Sequence, residues 1–136
     1  MELMEISLDL YYKASMEFKA LLNESHNSMV HGHGTEQGVY FPHCGVRIAE
    51  DTAILLSPEM IQESVIPFIK RSVEPFGGTF LHFCGHHPTL FSQLSALSEV
   101  KAIDLGNPEK YDLKWLLERC AETDTVLYSR VAEEPG

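Results

Sequence analysis

Long apolar runs are missing from this sequence. None approaches the roughly 20 residues that a membrane-spanning helix needs, which excludes a helical span. The opening segment, MELMEISLDL, is acidic where a secretory leader is basic, so export is not expected. Basic residues are scarce too. Ten Lys and Arg against 20 Asp and Glu leave a net charge of −10 with histidine neutral, and no basic stripe occurs. Such a surface repels phosphate backbones and excludes nucleic acid as a partner. Cysteine is limited to Cys44, Cys84 and Cys120, an odd and widely spaced set. That pattern argues against a disulfide framework and predicts a reducing, cytoplasmic setting. Low-complexity segments, internal linkers and sequence repeats are absent as well.

What remains, 136 residues that are 44% hydrophobic and 22% charged, has the make-up of one globular domain or part of one. Residues 6–22 read as a helix, with Leu10, Tyr11, Ala14, Phe18, Leu21 and Leu22 at helical spacing. A glycine- and histidine-bearing stretch, MVHGHGTEQGVYFPHCG, reads as a long functional loop and leads into a strand, VRIAED. SPEM then announces a helix: Ser57 is the N-cap, Pro58 suits the first helical position and Glu59 complements the positive end. Its apolar stripe is Ile61, Val65, Phe68 and Ile69, and Pro67 should kink it. TFLHFC is the second strand, and Pro88 opens a helix with Leu90, Phe91, Leu94 and Leu97 inward. VKAIDL is the third strand, and Asn107-Pro108 starts a short helical segment after it. Leu113, Leu116, Leu117 and Cys120 mark a further helix, and TVLYSRV the last strand.

Alternating helices and strands indicate βαβ units, hence an α/β fold with about four parallel strands. Two architectures fit: a small doubly wound sheet, or part of a (β/α)8 barrel, which needs about 250 residues when complete. In both, chemistry gathers at the carboxyl ends of the strands. The polar clusters of every unit fall there: Arg47, Glu50 and Asp51; His82, Cys84 and His86; Asp104 and Asn107; Tyr128 and Arg130.

The H-x-C of TFLHFCGHHP carries the sharpest chemistry. Residues two apart on a strand point to one side, so His82 and Cys84 can aim an imidazole and a thiolate into a common space. Zinc accepts such ligands at about 2.0–2.3 Å, with three protein ligands and an open position in catalytic sites. The same pair also admits a cysteine nucleophile with His82 as base, or a purely structural role. Glu50 and Asp51 are candidates for a general base or for orienting a thiol, and Asp51 with Thr52 could equally satisfy backbone amides in a turn. Arg47, Asp104, Tyr128 and the loop histidines His31 and His33 are candidates for lining a pocket around a small-molecule substrate.

At GVRIAEDTAILLSPEMIQESVIPFIKRSVEPFGGTFLHFCGHHP, and on through VKAIDLGNPEKYDL, the sequence resembles the uroporphyrinogen decarboxylase-like superfamily. The succession LLSPEM, PFIKR, GG, H-x-C-G is specific in combination, and the resemblance covers most of the chain from about Gly32. It implies a (β/α)8 barrel of which this chain is the C-terminal half, without the opening units and the final strand. The superfamily includes porphyrinogen decarboxylases and cobamide-dependent methyltransferases acting on thiols. In the latter an H-x-C pair on this strand binds zinc, with a distant third ligand, usually cysteine, from a later strand. His82 and Cys84 match that pair, and the third ligand is expected beyond Gly136. Cys120 falls on a buried helix stripe; His86, Cys44 or His33 would complete a site only by departing from the pattern. The resemblance thus implies zinc-assisted methyl transfer from a corrinoid on a partner protein. For the decarboxylase alternative, Asp51 stands where the family has a serine, placing a carboxylate against an anionic substrate. A third expectation is non-enzymatic: a half barrel leaves strand edges open and would pair with its missing half or form a homodimer.

Overall fold

The computed structural model describes residues 2–22 and 45–129. The first helix, α1 (Glu2–Leu22), begins four residues before the sequence pattern does. Four parallel strands follow: β1 (Val46–Ala49), β2 (Thr79–Phe83), β3 (Val100–Leu105) and β4 (Val126–Tyr128), in the spatial order β1-β2-β3-β4. The α/β class and the parallel sheet are as expected. The order is sequential and contains no reversal, so among the described strands there is no switch point of the doubly wound kind.

Alternation along the strands gives the sheet two distinct faces. Val46, Leu81, Phe83, Ile103 and Leu105 point into one core with Ile61, Ile66, Ile69, Leu90, Phe91, Leu94 and Leu116 of the helices. Val100 joins the same core although it shares parity with Ala102, because the β2–β3 register slips between Thr79 and Phe80. The opposite face carries Arg47, Phe80, His82, Asp104 and Tyr128. Phe80 meets Tyr128 edge-on at 5.7 Å and lies under the Arg47 guanidinium at 5.9 Å.

Between β1 and β2 the chain makes a 3-10 turn (Asp51–Leu55), a helical turn α2 (Pro58–Met60), a π turn (Ile61–Val65) and α3 (Ile66–Val73). The strand read as VRIAED therefore ends at Ala49, and Asp51 opens a tight turn instead. Proline is the cause of the π turn. Pro67 offers no N–H to the carbonyl four residues earlier and its ring would strike it. The backbone widens just before it, and Ile66 donates to the Ile61 carbonyl. The helix α4 (Pro88–Ser95) and α5 (Leu113–Thr123) follow β2 and β3, with a 3-10 turn (Pro108–Lys110) ahead of α5.

Two stripes face differently from the expectation. On α5, Leu116 and Cys120 are buried but Leu113 and Leu117 are exposed. The inner face is rotated toward Arg119, which donates to the Ser92 carbonyl on α4, and Trp115, whose ring packs on Phe91. On α1, Leu10, Tyr11, Ala14 and Phe18 are exposed. This helix docks instead through Arg71 of α3, which pairs with Glu5 and with Asp9 at 3.5 Å, and through buried Ser15. Among the described residues, no helix is long and apolar enough to cross a membrane.

Candidate metal centre

The carboxyl end of β2 is where polar atoms converge. His82 and Cys84 do point to one side, with Cys84 Sγ 3.3 Å from His82 Nε2. The neighbouring strand pairs His82 with Asp104 in register, which brings His82 Nδ1 to 2.7 Å from Asp104 Oδ2. From the other side, the turn after β1 swings Asp51 inward. Its Oδ1 accepts the Cys84 N–H at 2.7 Å and stands 3.6 Å from His82 Nε2. One ligand atom each from Asp51, His82 and Cys84 therefore lies within 4.8 Å of the others. An oxygen, a nitrogen and a sulfur form a cleft that is rich in lone pairs.

Below this cleft lies an ion pair. Arg47 rises from β1 and its Nη2 donates to Asp104 Oδ2 at 3.2 Å, the oxygen that also faces His82. The Arg47 side chain is 2% exposed and Asp104 16%, while Asp51 is 54% exposed. The cluster is thus anchored on the sheet side and open on the Asp51 side.

The surroundings are acidic, and the titrations follow. Burial, and then the charge of Asp51, push the Glu50 carboxyl up to about 6. Burial, then Asp51 and Asp104, push the Cys84 thiol up, with Lys110 opposing them. The raising influences outweigh Lys110, so Cys84 is a thiol at neutral pH.

Loop geometry fixes the cleft. Gly85 takes φ +92°, which favours glycine, and its N–H donates to Asn107 Oδ1 at 2.9 Å. His87 caps α4, accepting from Leu90 N–H through Nδ1, while its own N–H donates to the Tyr111 hydroxyl. Gly106 lies against the sulfur: a Cβ there would stand 2.5 Å from Cys84 Sγ.

The structure brings together five residues singled out from sequence: Arg47, Asp51, His82, Cys84 and Asp104. Asp51 places a third atom of ligating type beside His82 and Cys84, whereas the resemblance implied a third ligand beyond Gly136. Its oxygen satisfies a backbone amide, as the turn reading allowed, but the amide belongs to Cys84, just past the end of β2, rather than to its own turn. Glu50 adjoins the cluster and donates its N–H to the His82 carbonyl. Tyr128 shares a row with Asp104 but meets Phe80 edge-on. His86 is exposed, its ring on Tyr111 at 4.7 Å, and Cys120 is buried on α5. His31, His33, Cys44 and Arg130 lie outside the described residues. Gly106 and Tyr111 were missed as site-shaping groups, and Asn107, placed among the strand-end polar residues, proves to hold the Gly85 N–H. The register of β2 on β3, which sets 84–85 beside 106–107, is the signal that identifies Gly106.

Asp104 supplies the orienting carboxylate that a cysteine nucleophile requires, and sequence had offered none. Two facts count against that use. The thiol is held protonated, and the nearby backbone donors are committed: Cys84 to Asp51, Gly85 to Asn107, Gly106 to the Phe83 carbonyl. Those amides are unavailable for an oxyanion hole. Three converging ligand atoms suit a cation better. No protein-family model, curated protein or solved structure matches this chain significantly.

Proposed function

We propose that this chain is one sector of a (β/α)8 barrel of the uroporphyrinogen decarboxylase-like kind, that Asp51, His82 and Cys84 hold zinc at its rim, and that the site serves methyl transfer from a corrinoid on a partner protein to a small thiol. The observation that carries the metal reading is the convergence of one oxygen, one nitrogen and one sulfur within 4.8 Å. The ligand set fits zinc, which takes carboxylate, imidazole and thiolate, and three protein ligands leave a fourth position open. Sequential strand order, with the cluster at the carboxyl ends, supports the barrel.

Each residue has a part in this reading. Cys84 gives up its proton to ligate, Asp51 brings a second negative charge, and His82 contributes Nε2 while Asp104 holds its other nitrogen. Bound zinc supplies the Lewis acidity that lowers the pKa of an incoming thiol. The exposed side of Asp51 is the approach for that thiol. The acidic rim formed by Glu50, Asp51 and Asp104 works against an anionic porphyrinogen, which favours methyl transfer over decarboxylation. The outer strands and the apolar stripe of α1 are the surfaces on which the remaining barrel units, or a second copy, would seat.

Zinc content of the purified protein tests the site. Wild type should hold close to one equivalent, Cys120→Ser should match it, and Cys84→Ser, His82→Ala and Asp51→Ala should each bind at least about tenfold more weakly. Equal, near-zero zinc in all of them ends the metal reading. Given methylcobalamin and a small thiol, the zinc-loaded protein should form the methyl thioether. A rate no higher than that of Cys84→Ser ends the methyl-transfer reading.

A further inference from the structure

We infer that the Arg47–Asp104 pair is a positioning device that holds the His82 ring with its proton on Nδ1, so that Nε2 presents a bare lone pair to the cleft between Asp51 and Cys84. The purpose of this arrangement rests on the metal reading above; the arrangement itself does not.

The chemistry of the contacts requires that tautomer. Asp104 Oδ2 lies 2.7 Å from His82 Nδ1 and 3.2 Å from Arg47 Nη2. The oxygen that receives the Arg47 guanidinium is an acceptor, so the hydrogen between Asp104 and the ring belongs to Nδ1. Arg47 marks that oxygen as an acceptor, because its Nη2 donates to it. Its side chain is 2% exposed, and a cation so buried needs its counter-charge. The guanidinium crosses the face of Phe80 at 5.9 Å to reach Asp104 two strands away, a path set by the sheet rather than by chance rotamers. Unconstrained neutral imidazole favours a proton on Nε2, so the protein must impose the alternative.

The consequence lies on the other edge of the ring. With Nδ1 protonated, Nε2 accepts from the Cys84 thiol at 3.3 Å and faces the Asp51 oxygen at 3.6 Å. Nε2 and the Asp51 oxygen then face each other across the cleft as two acceptors, an arrangement that a cation between them would suit. Arg47 and Asp104, expected from sequence to touch substrate, act instead through His82.

The test is metal-free. In chelator-treated protein labelled with nitrogen-15 on histidine, long-range proton–nitrogen correlation at pH 7.5 should show His82 with Nδ1 protonated and Nε2 unprotonated. In Asp104→Ala the pattern should move to a protonated Nε2, and zinc affinity should fall about 10–100-fold. Asp104→Asn, which keeps an acceptor oxygen, should retain part of the Nδ1–H signal, and Arg47→Met should give a mixture. If Asp104→Ala does not fold, Asp104→Asn and Arg47→Met carry the comparison. A wild-type ring protonated on Nε2 or on both nitrogens overturns the inference, as does an unchanged pattern in the folded variants. A wild-type Nδ1–H pattern in protein that binds no zinc upholds the positioning and ends the metal reading.

Discussion

Gly106 has no side chain, and the sulfur of Cys84 occupies the space that one would fill. A Cβ at 2.5 Å from Sγ meets the tip of a side chain that can rotate, not a fixed backbone atom. Gly106→Ala should therefore cost less than about 1 kcal/mol of stability by urea denaturation. The displaced thiol should still weaken zinc binding about tenfold, and unaltered zinc affinity would dissociate the glycine from the site. At this scale the sequence was legible where chemistry depends on local spacing. His82 and Cys84 share a side because a strand alternates, and that needs no knowledge of neighbours. Asp104 as the partner of His82 was hidden, because it depends on β2–β3 register, and a slip of one residue would turn it to the other face. Asp51 as the proposed third ligand was hidden for a similar reason: its inward turn is set by an amide just past another strand.

Among the elements, punctuation was easier to read than facing. VKAIDL coincides with β3, and proline marks the start of α4 and the widened turn before α3. Asp112 caps α5, its Oδ1 accepting the Trp115 N–H at 2.8 Å, in the turn that also places Tyr111. Tyr111 stacks on Trp115 and receives the His87 N–H, so the cap steadies the loop behind Cys84. Asp112→Ala should lower stability by about 1 kcal/mol in urea denaturation. Its effect on zinc affinity should stay below a factor of about three, since no ligand atom moves; a loss as large as that of Gly106→Ala would show that the cap shapes the metal cleft directly. The facing of α5 was misread because periodicity defines a stripe but not its neighbours. Docking on α4 and β4 selects Leu116 and Cys120 and leaves Leu113 and Leu117 outside.

For the whole molecule, the unresolved balance is on α1. Leu3, Ile6, Leu10 and Phe18 recur at helical spacing and are exposed, Leu10 by 63%, while the helix meets α3 through ion pairs. Ion pairs at exposed positions contribute at most about 1 kcal/mol each. They hold the helix in place without burying its apolar stripe. A contiguous stripe of this kind favours association, and among the described residues β1 and β4 each pair with only one strand, which leaves further edges for the same purpose. The protein at tens of micromolar should therefore elute from size exclusion with light-scattering mass above that of one chain. Leu10→Asp with Phe18→Asp should shift it toward the monomer while leaving the zinc stoichiometry unchanged, because α1 supplies none of the three proposed ligands. A wild-type protein that stays monomeric would mean that the stripe is not an association surface. Retained association in the double variant would move the contact from α1 to the strand edges, where a closed barrel of the proposed kind would also join.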